Sequence, residues 1–198
     1  MIIWINGALG ASKTQTSFEL HRRIPQSYVF DPENAGYYIR KNVPPQAARI
    51  DFQDFPVWRE TVYGMLKHIN AEYNGMIIVP MTIVNPDYFD QIIGRLRHEG
   101  IMVRHFALCA SKEVLLKRLR SRGDGRSSWA AHQMDRCIQG LSNPIFHKHL
   151  YTDSMTIEDT VESIAADLKI QLTADNRGTV KKAWDRFRIK LDHIRFFN

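Results

Sequence analysis

Cysteine is scarce in this chain. Its 198 residues hold two, Cys109 and Cys137, neither with the spacing of a metal ligand. They read as buried thiols in a reducing cytosol, not as a disulfide or a nucleophile. No apolar run approaches the roughly 20 residues a membrane span requires. No basic stretch precedes the first apolar run, which begins at Met1, so no signal peptide is expected and the setting is cytoplasmic. His147 and His149 lie two apart without a third ligand nearby and are read as non-metal. Internal repeats and low-complexity tracts are missing. Also missing is a carboxylate after the third apolar run, which continues as Val79-Pro80-Met81-Thr82. That counts against a motor-like ATPase or GTPase.

What is present begins at the N-terminus. Met1 to Asn6 is a short apolar run ending in a polar residue. Gly7-Ala8-Leu9-Gly10-Ala11-Ser12-Lys13-Thr14 follows, then Gln15 and an apolar-periodic segment through Phe18 and Leu20. Strand, glycine loop and helix in this order form the context of a phosphate-binding loop, Gly-x-x-x-x-Gly-Lys-Ser/Thr. Backbone N–H groups of such a loop wrap phosphates at the positive end of a helix. Lys13 would reach the β- and γ-phosphates of ATP, and the Thr14 hydroxyl would hold Mg²⁺. Residues Gly7 to Gln15 are thus the candidate nucleotide site. Ser12 stands where the second glycine belongs, which requires either a negative φ there or some backbone strain.

Further along, Ser27 to Asp31 reads as a second strand. Pro32 opens a helical stretch through Ile39, closed by Pro44-Pro45. Asp51 to Pro56 is an aromatic-rich loop, and the helix from Pro56 carries Val62, Met65, Leu66 and Ile69 on one stripe. Met76 to Pro80 is a continuous apolar run, suited to a strand buried on both faces. Asn85 and Pro86 start a helix that Gly100 ends. Ile101 to Leu108 is a fourth strand, Ser111 caps the next helix, and another helix runs from Trp129 to about Gln139. Leu150 to Thr152 is a fifth strand, and Thr156 to Asp159 form a capping box. This alternation predicts an α/β protein: a five-stranded parallel sheet with helices on both faces. With the phosphate loop at its start, it is a three-layer P-loop NTPase fold of the nucleoside/nucleotide-kinase type. Residues 1–172 form that domain, with 32–58 as acceptor-binding region and 118–140 as an arginine-rich lid; residues 173–198 form a basic amphipathic tail.

Ligands of open α/β sheets bind beyond the carboxyl ends of the strands. Asp31 falls there and could accept a proton from an acceptor hydroxyl or orient the acceptor; the alternative is an Asp-Pro turn. Arg118, Arg122 and Arg126 recur every four residues, and Arg118 or Arg122 is expected to touch phosphate, which needs cations in the transition state. Arg136 could close back over the site. Tyr37, Phe52, Phe55 and Trp58 suit an acceptor pocket for a base or sugar ring, with Thr82 as a further contact.

Net charge is +6. Residues 178–198 hold six basic side chains against two acidic ones, leaving +4 of that excess in the tail. Val180, Trp184, Phe187, Leu191 and Ile194 follow a 4-3-4-3 spacing, one face of a helix with basic residues on the others. Residues 179–197 therefore suit a membrane surface, or packing on the domain or a partner. Nucleic acid is not expected, because aromatic and basic residues do not interleave on one face.

The chain resembles the bacterial tunicamycin resistance protein family over nearly its whole length. The resemblance rests on Ile5-Asn6-Gly7-Ala8 with Lys13-Thr14-Gln15-Thr16, on Val79-Pro80-Met81-Thr82-Ile83-Val84 and on Gly94-Arg95-Leu96-Arg97. It continues in Ser128-Trp129-Ala130-Ala131, Asp135-Arg136-Cys137, Ser142-Asn143-Pro144-Ile145-Phe146 and Lys190-Leu191-Asp192-His193-Ile194-Arg195. It implies an ATP-binding cytoplasmic protein with peripheral membrane association through its C-terminal helix, and resistance to a uridine-containing, lipid-tailed antibiotic. Two functions are compatible with it. One is an ATP-dependent small-molecule kinase that phosphorylates tunicamycin or a related nucleoside. The other is a non-catalytic protein that binds and sequesters the antibiotic at the membrane.

Overall fold

The computed structural model describes residues 1–121 and 133–192, with the side chain of Asp192 excepted. Arg122, Arg126, Ser128, Trp129 and Ile194 lie outside the described residues.

Five strands make one parallel sheet: β1 (Ile2–Gly7), β2 (Ser27–Val29), β3 (Met76–Pro80), β4 (Val103–Cys109) and β5 (His149–Tyr151). Their spatial order is β2-β3-β1-β4-β5. The apolar run at the N-terminus takes the centre because every residue of β1 is buried. Ile2 pairs with Ile77 on one side and Val103 on the other. The two edge strands, β2 and β5, are three residues each, which limits the exposed pairing edge. The second strand ends at Val29, two residues short of the expected Asp31; Phe30 still donates to the Ile78 carbonyl at 2.9 Å, and the turn into the next helix begins at Pro32. The fourth strand lies two residues later at its start than its sequence suggests; Glu99 and Gly100 form the turn after the preceding helix, and the Ile101 N–H bonds back to the Leu96 carbonyl.

Helices α1 (Lys13–Arg23), α2 (Glu33–Asn42) and α3 (Pro56–Glu72) follow the first two strands. The expected helix from Pro86 has three parts: α4 (Pro86–Phe89), a π-helical segment (Asp90–Gly94) and α5 (Arg95–His98). Asn85 caps it by accepting from the N–H groups of Asp87 and Tyr88. Next come α6 (Lys112–Arg120), capped by Ser111, α7 (Met134–Leu141), α8 (Ile157–Leu168) and α9 (Thr179–Asp192). Thr156 and Asp159 close the expected capping box at α8. α1 packs against α8, and α3 against the π-helical segment. Among the described residues, Trp4, Trp58, Phe106 and Phe146 are the largest fully buried side chains.

The tail is held to the domain by its charged side. Arg177 binds Asp175, Asp185 and Glu19 of α1. Lys182 and Arg186 reach Glu158, at the start of α8. The apolar stripe faces outward: Val180 is 85% exposed, Trp184 60%, Phe187 50% and Leu191 51%. A helix packed by its apolar face would show the opposite pattern.

Candidate nucleotide and acceptor site

The loop from Gly7 to Thr14 sits at the carboxyl end of the central strand, between the ends of β3 and β4. Gly7 has φ +154 and Gly10 φ +86. A Cβ on Gly7 would stand 2.9 Å from the Leu108 carbonyl oxygen, and one on Gly10 2.9 Å from that of Leu115. Only glycine fits these two positions. Ser12 has φ 66 and ψ 21, the left-handed conformation, with no side-chain capping bond. Of the two possibilities for this residue, strain rather than negative φ is the one realised, at a cost of about 1–2 kcal/mol. The backbone course of a glycine is thus kept with a serine in place. α1 begins at the next residue, and the Ser12 carbonyl accepts from Thr16 N–H at 2.9 Å. A loop of this form, at a helix N-terminus with a lysine and a threonine as its first helical residues, fits a nucleotide triphosphate.

Asn6 ties this loop to the two neighbouring strands. Its Oδ1 accepts from the N–H groups of Gly7 (2.8 Å) and Ile83 (3.0 Å), and its Nδ2 donates to the Ile83 carbonyl at 2.7 Å. The second Nδ2 hydrogen meets His105 Nε2 at 3.1 Å. His105 Nδ1 lies 3.1 Å from the His147 carbonyl, so Nδ1 carries the proton and Nε2 accepts. Burial pushes the His105 pKa down to about 4, which keeps the ring neutral. Sequence reading missed this network; its one visible signal was a polar residue ending an otherwise apolar strand.

Lys13 Nζ donates to the Ala8 carbonyl at 3.1 Å. Thr14 and Gln15 follow in the first turn of α1. Gln15 Nε2 donates to the main-chain carbonyl of Arg186, so the loop touches the tail helix. Thr82 Oγ1 donates to the Gly7 carbonyl at 2.8 Å, and the Thr82 carbonyl accepts from Gln53 Nε2 at 3.0 Å. Thr82 therefore joins the phosphate loop to the segment expected to hold the acceptor.

That segment is a short 3₁₀ turn, Phe52–Asp54, capped by Asp51. The Asp51 carboxylate is largely buried, and one of its oxygens receives Arg136 of α7 at 3.2 Å. Sequence reading passed over Asp51 inside an aromatic loop.

Three of the expected acceptor contacts are buried. Trp58 is 0% exposed, and its indole N–H donates to the Pro32 carbonyl. Phe52 and Phe55 are also buried, with Phe52 packed against Trp58 at 5.3 Å between ring centres. All three belong to the hydrophobic core. Tyr37 is half-buried, edge-on to Phe52, with its hydroxyl donating to Glu33.

Asp31 accepts from the N–H of Glu33 at 3.0 Å, an Asx-turn that starts α2. It also lines a cavity of about 280 Å³ with Tyr28, Phe30, Asn34, Met65 and Ile69. Arg118 donates to the Thr152 carbonyl (2.6 Å) and hydroxyl (3.2 Å), which places its guanidinium at the end of β5. Burial lowers its pKa, while Asp153 opposes this. Cys109 and Cys137 are both unbridged thiols whose pKa burial pushes up. His147 and His149 bond the carbonyls of Pro144 and Leu141. Among the described residues no group of three or more His, Cys, Asp or Glu could hold a metal, and no helix is long and apolar enough to cross a membrane.

The sheet order and the loop define a P-loop kinase-like protein with the three-layer α/β architecture. A family model described as an AAA domain matches residues 2–144. No curated protein matches by sequence. Among solved structures, the tunicamycin resistance protein of Deinococcus radiodurans is 32% identical, with a TM-score of 0.76 over 88% of this chain and 98% of that one. The chain belongs to the tunicamycin resistance protein family. Two more distant likenesses bear on the fold alone. A gluconokinase from Sinorhizobium meliloti 1021 is 16% identical, with a TM-score of 0.61 over 84% of this chain and 90% of that one. Shikimate kinase from Bacteroides thetaiotaomicron is 19% identical, with a TM-score of 0.57 over 86% and 99%.

Proposed function

We propose that this protein is an ATP-dependent phosphotransferase whose acceptor is tunicamycin or a related nucleoside-type molecule. The observation that carries this reading is the loop itself: Gly7, Gly10 and a left-handed Ser12 keep the phosphate-binding course directly ahead of Lys13 and Thr14. ATP with Mg²⁺ would supply the phosphoryl group and a counter-charge for it. Main-chain N–H groups from Ala8 to Gln15 would hold the phosphates, helped by the N-terminus of α1. Lys13 would reach the terminal phosphates, and the Thr14 hydroxyl would be the metal's protein ligand.

Asp31, beside its cavity, would accept the proton of the acceptor hydroxyl. Thr82 and Tyr37 remain the candidates for orienting the acceptor. Arg118, held at the end of β5, and Arg122 would supply cationic charge at the nucleotide.

The outward stripe of α9 supports peripheral docking on a lipid surface through residues 179–197. Lys181 and Arg188 flank Trp184 and Phe187 and are exposed, a combination that favours anionic headgroups. A ligand that partitions into membrane would be met there by a protein already at the surface.

A second reading, binding and sequestration without transfer, is favoured by one observation: no carboxylate follows β3 in Val79-Pro80-Met81-Thr82. The two are separated by ADP release in the presence of tunicamycin and Mg²⁺·ATP. Transfer predicts acceptor-dependent release that Lys13→Ala abolishes and Asp31→Asn reduces at least a hundredfold. Sequestration predicts no release beyond the background without acceptor.

A further inference from the structure

Arg136 meets Asp51 next to residues that are bonded to the phosphate loop. Arg136 lies on α7, and Gly140 lies one turn further on the same face. A Cβ on Gly140 would stand 2.7 Å from that of Val84, so α7 is pressed against the segment following β3. This contact turns the Arg136 face toward the carboxyl ends of the strands. Asp51 is fixed by its own bonds. Its Oδ1 accepts from Gln53 N–H at 3.0 Å, and the Gln53 side chain holds Thr82, which in turn holds Gly7. Its Oδ2 accepts from Arg136 at 3.2 Å. The Asp51 side chain is 12% exposed and that of Arg136 53%. The thiol of Cys137, next to Arg136, feels the charges of Lys13, Arg136 and Asp51 together. The phosphate-loop lysine, an exposed guanidinium and one carboxylate therefore share a single electrostatic neighbourhood.

We infer that the Asp51–Arg136 pair is a latch on nucleotide binding: Asp51 holds Arg136 beside the loop and yields it to the terminal phosphate of a nucleoside triphosphate. A triphosphate carries more charge than a carboxylate and offers a guanidinium two oxygens at once, so it competes well for the arginine. Giving up the arginine leaves Asp51 as a largely buried carboxylate with one partner fewer, an unfavourable state. Asp51 therefore opposes triphosphate binding, and Arg136 promotes it. Arg136 becomes a nucleotide ligand in this scheme and Asp51 a positioning residue. The inference rests on the reading that the loop binds ATP.

The test is calorimetric titration of Mg²⁺·ATP into the full chain and three variants. Asp51→Asn keeps the oxygen that caps Gln53 and removes the charge that competes for Arg136. It is expected to bind ATP about 2–5 times more tightly than the parent, the range of a half-exposed ion pair. Arg136→Gln is expected to bind about tenfold more weakly. The double variant decides between a latch and mere charge neutralisation. If Arg136 reaches phosphate, the double variant binds about tenfold more weakly than Asp51→Asn alone. If Arg136 only neutralises Asp51, the double variant matches Asp51→Asn, and the latch is overturned. It is equally overturned by an Asp51→Asn protein no tighter than the parent. Should Arg136→Gln fail to fold, judged by circular dichroism, Arg136→Lys takes its place in both comparisons with the same ordering and smaller steps. A parent chain that binds no ATP removes the proposed function as well, whereas ATP binding without the stated ordering removes the latch alone.

Discussion

Gln15 donates its side-chain amide to the carbonyl of Arg186 at 3.0 Å, across 171 positions of sequence. The residue beside Thr14 is thereby fastened to the tail helix. Arg177 is the main rivet of that attachment. It engages Glu19, Asp175 and Asp185, with Asp175 first among the groups that raise its pKa; in turn Arg177, helped by Lys182, holds the Asp175 carboxyl far below the usual carboxylate range. Arg177→Ala leaves Glu19, only 3% exposed, with Arg22 as its remaining ion-pair partner among the described residues. A loss of about 2–4 kcal/mol in unfolding free energy is expected, read from urea titration. A change below about 0.5 kcal/mol would mean the attachment contributes nothing.

The outward face of α9 makes a separate prediction. Trp184→Glu together with Phe187→Glu places two negative charges on the exposed apolar stripe without touching Lys182, Asp185 or Arg186. Cosedimentation with vesicles containing phosphatidylserine should fall at least tenfold while the melting temperature stays within a few degrees. Equal vesicle binding by parent and variant would remove the membrane role of this face.

Ser12 carries a cost that glycine would not. Ser12→Gly relieves the left-handed strain and adds some unfolded-state entropy, for a net gain of about 0.5–1 kcal/mol. Ser12→Val should destabilise by more than about 1 kcal/mol, because a β-branched residue tolerates that conformation worst. Thermal melts of the two variants on either side of the parent would agree with this; the reverse order would show that the serine is not strained.

His105 sets a pH dependence of stability. Its pKa is 6.5 as an ordinary group and about 4 in the fold, so between those values the unfolded chain binds more protons than the folded one. Stability then rises with pH: the contribution is complete above about 6.5 and is lost progressively as pH falls toward 4, by roughly 3 kcal/mol in all. His105→Gln keeps an acceptor for Asn6 and cannot titrate. Its unfolding free energy should fall less steeply between pH 7 and 4 than that of the parent. Parallel curves would place the acid sensitivity elsewhere.

The parts of this molecule written in local pattern were legible from its residues. Met76–Pro80 is buried on both faces and reads as a bare apolar run. The Thr156–Asp159 box follows from a spacing of three. What escaped reading depends on partners distant in the chain. Asp51 belongs to a 3₁₀ turn too short for any period, and its meaning comes from Arg136, 85 positions later. The burial of Phe52, Phe55 and Trp58 is likewise beyond composition, because an aromatic cluster looks the same whether it faces a ligand or the core. The tail's stripe was visible as a helix face, but periodicity does not say which face docks. Glu19 and Glu158 decide that, and both lie outside the tail.

The central claim is transfer of a phosphoryl group under the control of the loop around Lys13. Its most direct test is the mass of tunicamycin after incubation with the protein, ATP and Mg²⁺. The account predicts a product heavier by one phosphoryl group, formed by the parent and not by Lys13→Ala. Tunicamycin recovered at its original mass under conditions where the protein binds both ligands would contradict it.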